Sequence, residues 1–252
     1  MIVASQAPAA RLRGVIVASQ APARRLRGVI FDMDGVVVDS EPLSMAVIAE
    51  IIAEHGGRAD PALLAGLAGV SLAEALTVAA ARSGRALDAA ALHRSYRERY
   101  LPRLRACAAP TPGLTRLITA LRAADVPIGL ASSSSLAEIT TVVQALRLGP
   151  ALAAIASADE VARPKPAPDV YRLATERLGA GPRGVIAIED SATGVASASA
   201  ADLVCVGVRT AVTQGHDLGR VRLLVGSLEE LEVSVLEQLV ADNPAVAPSR
   251  SS

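Results

Sequence analysis

The chain has 252 residues, 51% of them hydrophobic, with 25 basic and 25 acidic side chains and a formal net charge of zero. That length allows one large domain or a core with an insertion, and enough apolar surface for a sizeable interior. The even charge offers no basic excess for nucleic acid, no apolar run reaches the roughly 18 residues of a membrane span, and four aromatics (Phe31, Tyr96, Tyr100, Tyr171) leave little for stacking on bases.

Residues 2–15 recur as residues 16–29 with one change, Ala10 against Arg24, a direct tandem duplication. Only the second copy runs on into an acidic motif, so residues 1–25 are expected to be a disordered leader. Its Arg content and lack of acids faintly resemble a transit peptide, but it lacks the charged segment and long apolar stretch that secretion needs. Cys107 and Cys205 lie far apart, with neither metal-ligand nor disulfide-framework spacing, so a reducing, cytoplasmic setting is expected.

From Gly28 the chain reads Gly-Val-Ile-Phe-Asp-Met-Asp-Gly, with Val29, Ile30 and Phe31 running straight into Asp32 and with Asp34 two positions later. A short β-branched run bounded by Gly predicts a buried strand of a parallel sheet, and such sheets bind ligands at the carboxyl ends of their strands. Two carboxylates that close repel each other unless a proton or a cation intervenes, and a hard, oxygen-seeking ion such as Mg2+ suits them. A calcium loop fits poorly, because Val36, Val37 and Val38 stand where it needs oxygen ligands and a Gly.

After this turn the period changes to helical. Pro42 begins a helix with Leu43, Val47, Ile48, Ile51 and Ile52 at helical spacing, ended by Gly56-Gly57. Asp60-Pro61 opens a second helix, Ser71 with Glu74 forms a capping box for a third, and Asp88 to Arg105 continues the run. No strand pattern falls between about residues 42 and 110, so this stretch is predicted to be a helical cap domain inserted after the first strand, with Pro110-Thr111-Pro112-Gly113 as the return linker.

From there strands and helices alternate. Strands are predicted at Val126–Ala131, Ala153–Ala156, Gly184–Ile188, Leu203–Val208 and Arg222–Val225, with a helix starting at the Ser132–Ser135 cluster, where Glu138 follows Ser135 by three. The alternation defines an α/β fold, a Rossmann-like parallel sheet core with helices on both faces, built from residues 26–41 and 111–240. A Pro/Ser-rich tail, 241–252, is expected to be disordered.

Three strand ends now carry polar groups, and the Pro-rich stretch Arg163-Pro164-Lys165-Pro166 carries the chain's only lysine. Each has a plain structural reading: the serines as helix caps, Glu189-Asp190 as a solvated turn, Lys165 as a surface lysine. Together they compose a phosphate site, with carboxylates for a metal, hydroxyls and helix-start N–H groups for phosphate oxygens, and an ammonium for developing charge.

Asp32-Met33-Asp34-Gly35-Val36, Ser132, Lys165 and Glu189-Asp190-Ser191, in this order and on these elements, resemble the four motifs of the haloacid dehalogenase-like hydrolase superfamily over residues 28–231. Asp39-Ser40-Glu41-Pro42-Leu43, Gly69-Val70-Ser71 and Lys165-Pro166-Ala167-Pro168 place the resemblance with the branch of phosphoglycolate phosphatase, hexose-phosphate phosphatases and β-phosphoglucomutase. The resemblance implies that Asp32 is a nucleophile forming an aspartyl phosphate and that Asp34 is the general acid and base. It implies that Ser132, the Ser133 amide and Lys165 hold the phosphoryl group, and that Mg2+ is bound by Asp32, the Asp34 carbonyl and Asp190, with Glu189 either a further ligand or directly beside the ligands. The residues alone do not divide the labour between Asp32 and Asp34. A monomer acting on a small phosphoester is expected; a β-phosphoglucomutase-like phosphomutase and a degenerate phosphate-accepting regulatory domain are the alternatives.

Overall fold

The computed structural model describes residues 25–56, 58–67, 72–82, 88–211, 213–215 and 217–242. The expectations for the leader through residue 24, for the tail from residue 243 and for a helix cap at Ser71 concern residues outside that set. Strand β1 (Gly28–Phe31) is buried along its whole length and leads into four helices, α1 (Glu41–Glu54), α2 (Pro61–Leu67), α3 (Leu72–Arg82) and α4 (Ala89–Cys107). The core then resumes with α5 (Leu114–Ala123), β2 (Ile128–Ser132), α6 (Leu136–Ala145), β3 (Ala154–Ser157) and α7 (Asp169–Arg177). It ends with β4 (Val185–Glu189), α8 (Ala192–Ala200), β5 (Val204–Val208), β6 (Leu223–Val225) and α9 (Val233–Ala241).

The six strands form one parallel sheet in the order β3-β2-β1-β4-β5-β6. Its strands are near-continuous Val, Ile and Ala because helices cover both faces, the pattern a buried parallel sheet requires. The chain leaves β1 toward β2 on one side and reaches β4 on the other, so the switch in strand order lies at β1, where a doubly wound sheet opens a crevice. Strand β2 begins two residues later than predicted, just after Pro127, which has no N–H to give to the ladder although its carbonyl accepts from Val29 N–H at 3.0 Å.

The helical cap domain is inserted after β1, and its entry and exit strands are tied together. Val38 bridges to Asp34 and to Pro110, while Thr111 donates from its N–H to Val37 O and from its hydroxyl to Val36 O. Within the insertion α1 buries Val47, Ile48, Ile51 and Ile52, and Pro42 sits in its first turn, where a missing N–H costs nothing. Helix α4 packs on α1 and also reaches core helix α6. No described helix is long and apolar enough to cross a membrane. Cys107 is exposed and Cys205 buried, both free.

Candidate active site

The carboxyl end of β1 places Asp32 against its neighbours on both sides. Its N–H donates to Ile188 O of β4 at 2.9 Å, and its Oδ1 accepts from Lys165 Nζ at 2.5 Å. Lys165, far from Asp32 in sequence, also donates to Ala131 O at 3.2 Å and to Glu189 Oε1 at 2.6 Å. It is not a surface lysine, since its side chain is 5% exposed. Burial alone would lower its pKa, but Asp32 and Glu189 beside it overcome that and raise it, so it stays an ammonium.

Glu189 is not a solvated turn either: it closes β4 and is fully buried. Its Oε1 accepts from Lys165 and from the Tyr171 hydroxyl, and its Oε2 from the N–H groups of Asp190 and Ser191 and the Ser191 hydroxyl. Five donors at one carboxylate fill its acceptor sites. Two glycines make room for this cluster. A Cβ on Gly194 would stand 1.8 Å from Glu189 Oε1, and one on Gly35 would stand 2.0 Å from Asp190 Oδ2, so any side chain there would push the carboxylates apart.

Oxygens of Asp32, Glu189 and Asp190 lie within 4.8 Å of one another, all three residues being buried. One ammonium does not balance them. Burial raises the Asp32 carboxyl well above the ordinary carboxylate range; Lys165 opposes this, and Glu189, Asp190 and Asp34 add to it. Asp190 is pushed up to about 8, by burial first and then by Glu189. A buried all-oxygen cluster short of positive charge fits a hard divalent cation. Asp32, Glu189 and Asp190 are the residues that could hold it, Glu189 being the one already engaged by five donors.

Asp34 points elsewhere. Its Oδ1 accepts from the Ser40 hydroxyl and its Oδ2 from the Ser134 hydroxyl at 2.7 Å. Its carboxylate is outside the Asp32–Glu189–Asp190 cluster, and the resemblance assigns only its backbone carbonyl to a metal. Ser132 ends β2, fully buried, and its Oγ accepts the Ser134 N–H at 2.9 Å, so its own hydroxyl proton is not used in that bond. Ser133 is exposed at the opening of the loop. The helix-capping role falls to Ser135 alone, whose hydroxyl accepts from Glu138 N–H in a full capping box.

Sequence reasoning missed several members of this site. Tyr171 lies under Lys165, with Nζ 4.9 Å from the ring centroid, and its only signal was that it is one of four aromatics. From the cap domain, Tyr96 hydrogen-bonds Ser44 at 2.8 Å and stacks on Tyr100 with centroids 4.9 Å apart. Tyr100 is buried, and burial raises its phenol, with the charge of Asp34 adding to this.

The fold and this cluster define a class: doubly wound hydrolases with an Asp-x-Asp motif at the end of the first strand and a helical cap. A family model described as haloacid dehalogenase-like hydrolase matches residues 26–202, and the chain belongs to that family. It is similar to protein YhcW of Bacillus subtilis (strain 168), 30% identical over 208 residues that cover 82% of this chain and 94% of that one. It is also similar to the fructose-1-phosphate phosphatase YqaB of Escherichia coli (strain K12), 29% identical over 180 residues covering 71% of this chain and 95% of that one. Among solved structures, CbbY from Rhodobacter sphaeroides in complex with phosphate superposes with a TM-score of 0.72 at 27% identity, covering 82% of this chain and 96% of that one.

Proposed function

We propose that this hydrolase is a Mg2+-dependent phosphatase that cleaves a small phosphorylated metabolite, of the sugar-phosphate or phosphoglycolate type, through an aspartyl phosphate. The observation that carries the reading is Asp32 held at the sheet's switch point between the Lys165 ammonium and the buried Asp190, one strand from the Ser132 hydroxyl. The fructose-1-phosphate phosphatase among its relatives, and a mutant CbbY structure in complex with xylulose-(1,5)bisphosphate, support a phosphorylated small molecule as substrate.

In this reading Asp32 attacks phosphorus and the ester P–O bond breaks, with Asp34 giving its proton to the departing oxygen. Asp34 then takes a proton from water as the water oxygen attacks phosphorus, and the Asp32–phosphorus bond breaks to release phosphate. Ser132 and the Ser133 N–H hold phosphoryl oxygens, and Lys165 holds Asp32 and faces the charge that develops beside it. Mg2+, held by the Asp32 and Asp190 side chains and the Asp34 carbonyl, would supply positive charge to the phosphoryl oxygens. Residues 42–110, as the cap domain, would read the leaving group, and residues 26–41 and 111–240 carry the chemistry.

Metal and pH should be linked. With its pKa moved from 3.8 to about 8, Asp190 in the metal-free protein holds a proton that the unfolded chain loses. The contribution of Asp190 to metal-free stability should therefore be largest below the ordinary carboxylate range and fall as pH rises toward 8. Mg2+ must displace the same proton, so its apparent affinity should rise by up to about tenfold per pH unit below 8 and then level off. Melting temperature against pH in EDTA checks the first point, and titrating phosphate release with Mg2+ at several pH values after EDTA treatment checks the second. Full activity in EDTA would sink the metal requirement, and a pH-independent activation constant would sink the role of Asp190.

Two positions argue for water rather than a sugar phosphate as the acceptor. Where the β-phosphoglucomutase pattern has a His and an Arg, this chain has Ser44 and Leu72; Ser44 is bonded to Tyr96, and Leu72 packs against the core. Of the two cap arginines that could replace that Arg, Arg99 is engaged in a two-point pair with Glu54 at 2.6 and 2.7 Å, while Arg97 is exposed. Incubation with β-glucose 1-phosphate and a trace of the 1,6-bisphosphate should give free phosphate and little glucose 6-phosphate. Rapid isomerisation without phosphate release would establish the mutase instead.

A further inference from the structure

Both oxygens of Asp34 are held by serine hydroxyls from opposite sides: Ser40, in the segment entering the cap domain, and Ser134, in the loop between β2 and α6. The second contact is the more informative, because the backbone at Ser134 is fixed independently of Asp34. Its N–H donates to Ser132 Oγ at 2.9 Å, and its carbonyl accepts the hydroxyl of the fully buried Ser157 at 2.8 Å. The next residue, Ser135, carries the N-cap of α6. The Ser134 hydroxyl has no capping duty, and the hydrogen bond it makes is to Asp34 Oδ2.

We propose that Ser134 is a positioning residue for proton transfer by Asp34. This rests on the phosphatase reading above, in which Asp34 protonates the leaving oxygen. A carboxyl group free to turn about its last torsion presents its proton in many directions, whereas one bonded at both oxygens keeps one orientation. Each oxygen of Asp34 retains a further lone-pair site, so the two serine contacts leave room for the proton that must be transferred. Ser132 and Ser134 are also linked through the Ser134 N–H. One loop thereby sets the hydroxyl aimed at the phosphoryl group and the hydroxyl aimed at the acid, and so fixes the distance between them.

The test compares two aryl esters of similar shape, p-nitrophenyl phosphate and phenyl phosphate. Nitrophenolate departs readily without a proton, while phenolate needs one. The single-turnover rate of alcohol release is measured for the wild type, Ser134→Ala and Ser134→Thr. In the alanine variant the ratio of the phenyl to the p-nitrophenyl rate should fall about tenfold, part of the contribution a positioned general acid makes. The threonine variant, which keeps the hydroxyl, should restore the ratio. Equal slowing of both esters would mean that Ser134 acts on the phosphoryl group or on the fold, and an unchanged ratio would mean that it does not position Asp34; either outcome overturns the proposal. A wild-type enzyme that releases phosphate from none of these aryl esters, sugar phosphates or phosphoglycolate would overturn the phosphatase reading, and the proposal with it.

Discussion

Asp32→Asn should abolish phosphate release, by on the order of 10^4-fold or more, without lowering the melting temperature. The amide oxygen can still accept from Lys165, so the packing at the end of β1 survives. The nucleophile does not, because an amide is far too weak a base to displace an alkoxide at phosphorus. Stability should hold or rise in EDTA, since the substitution removes one of three buried carboxylates whose oxygens crowd within 4.8 Å. Wild-type turnover in this variant would exclude the aspartyl-phosphate route.

Lys165→Met should fail in the opposite way, losing both activity and stability. Methionine fills much of the same space, but Asp32 and Glu189 lose the ammonium that lies 2.5 and 2.6 Å from them. Breaking a buried pair from one side costs about 3–5 kcal/mol because the charge left behind has no partner. In a chain of this size that corresponds to a drop of roughly 6–20 °C in melting temperature. Added Mg2+ should recover part of the loss by supplying positive charge to Asp32, while Asp32→Asn combined with Lys165→Met should melt higher than Lys165→Met alone. An unchanged melting temperature for the single variant would show that these carboxylates are protonated in the native state and need no partner.

The opposed signs of these two substitutions come from charge balance, which the sequence does not display. Glu189-Asp190 followed by Ser191 reads equally well as a solvated turn, and nothing local distinguishes it from a buried cluster. What distinguishes it is Lys165, 24 residues earlier, reaching back across the sheet, together with Tyr171 supplying a hydroxyl from α7. Likewise the sequence separates the four consecutive serines only in part, Ser135 by its spacing to Glu138 and Ser132 by the resemblance, and leaves the Ser134 hydroxyl without a role. The fold gives them different work: Ser132 lies buried at the strand end, Ser134 reaches Asp34 and Ser135 caps α6, while Ser133 is exposed.

Much was nonetheless determined by the sequence alone. The β-branched run into Asp32, the strand-helix alternation after Gly113 and the strand-free stretch from Pro42 to Pro110 specify a parallel sheet with a helical insertion, because period and turn chemistry are local properties. The motif residues could be named because a parallel sheet brings its strand ends to one edge whatever fills the space between them. Tertiary structure alone decided which oxygen meets which donor. Asp34 takes its two serines from 6 and 100 residues away, and Tyr96 meets Ser44 from 52 residues away. Such contacts depend on ångström-scale packing of distant segments, and a hydrogen bond between residues far apart in the chain, unlike periodicity or a capping box, leaves no trace in the order of residues.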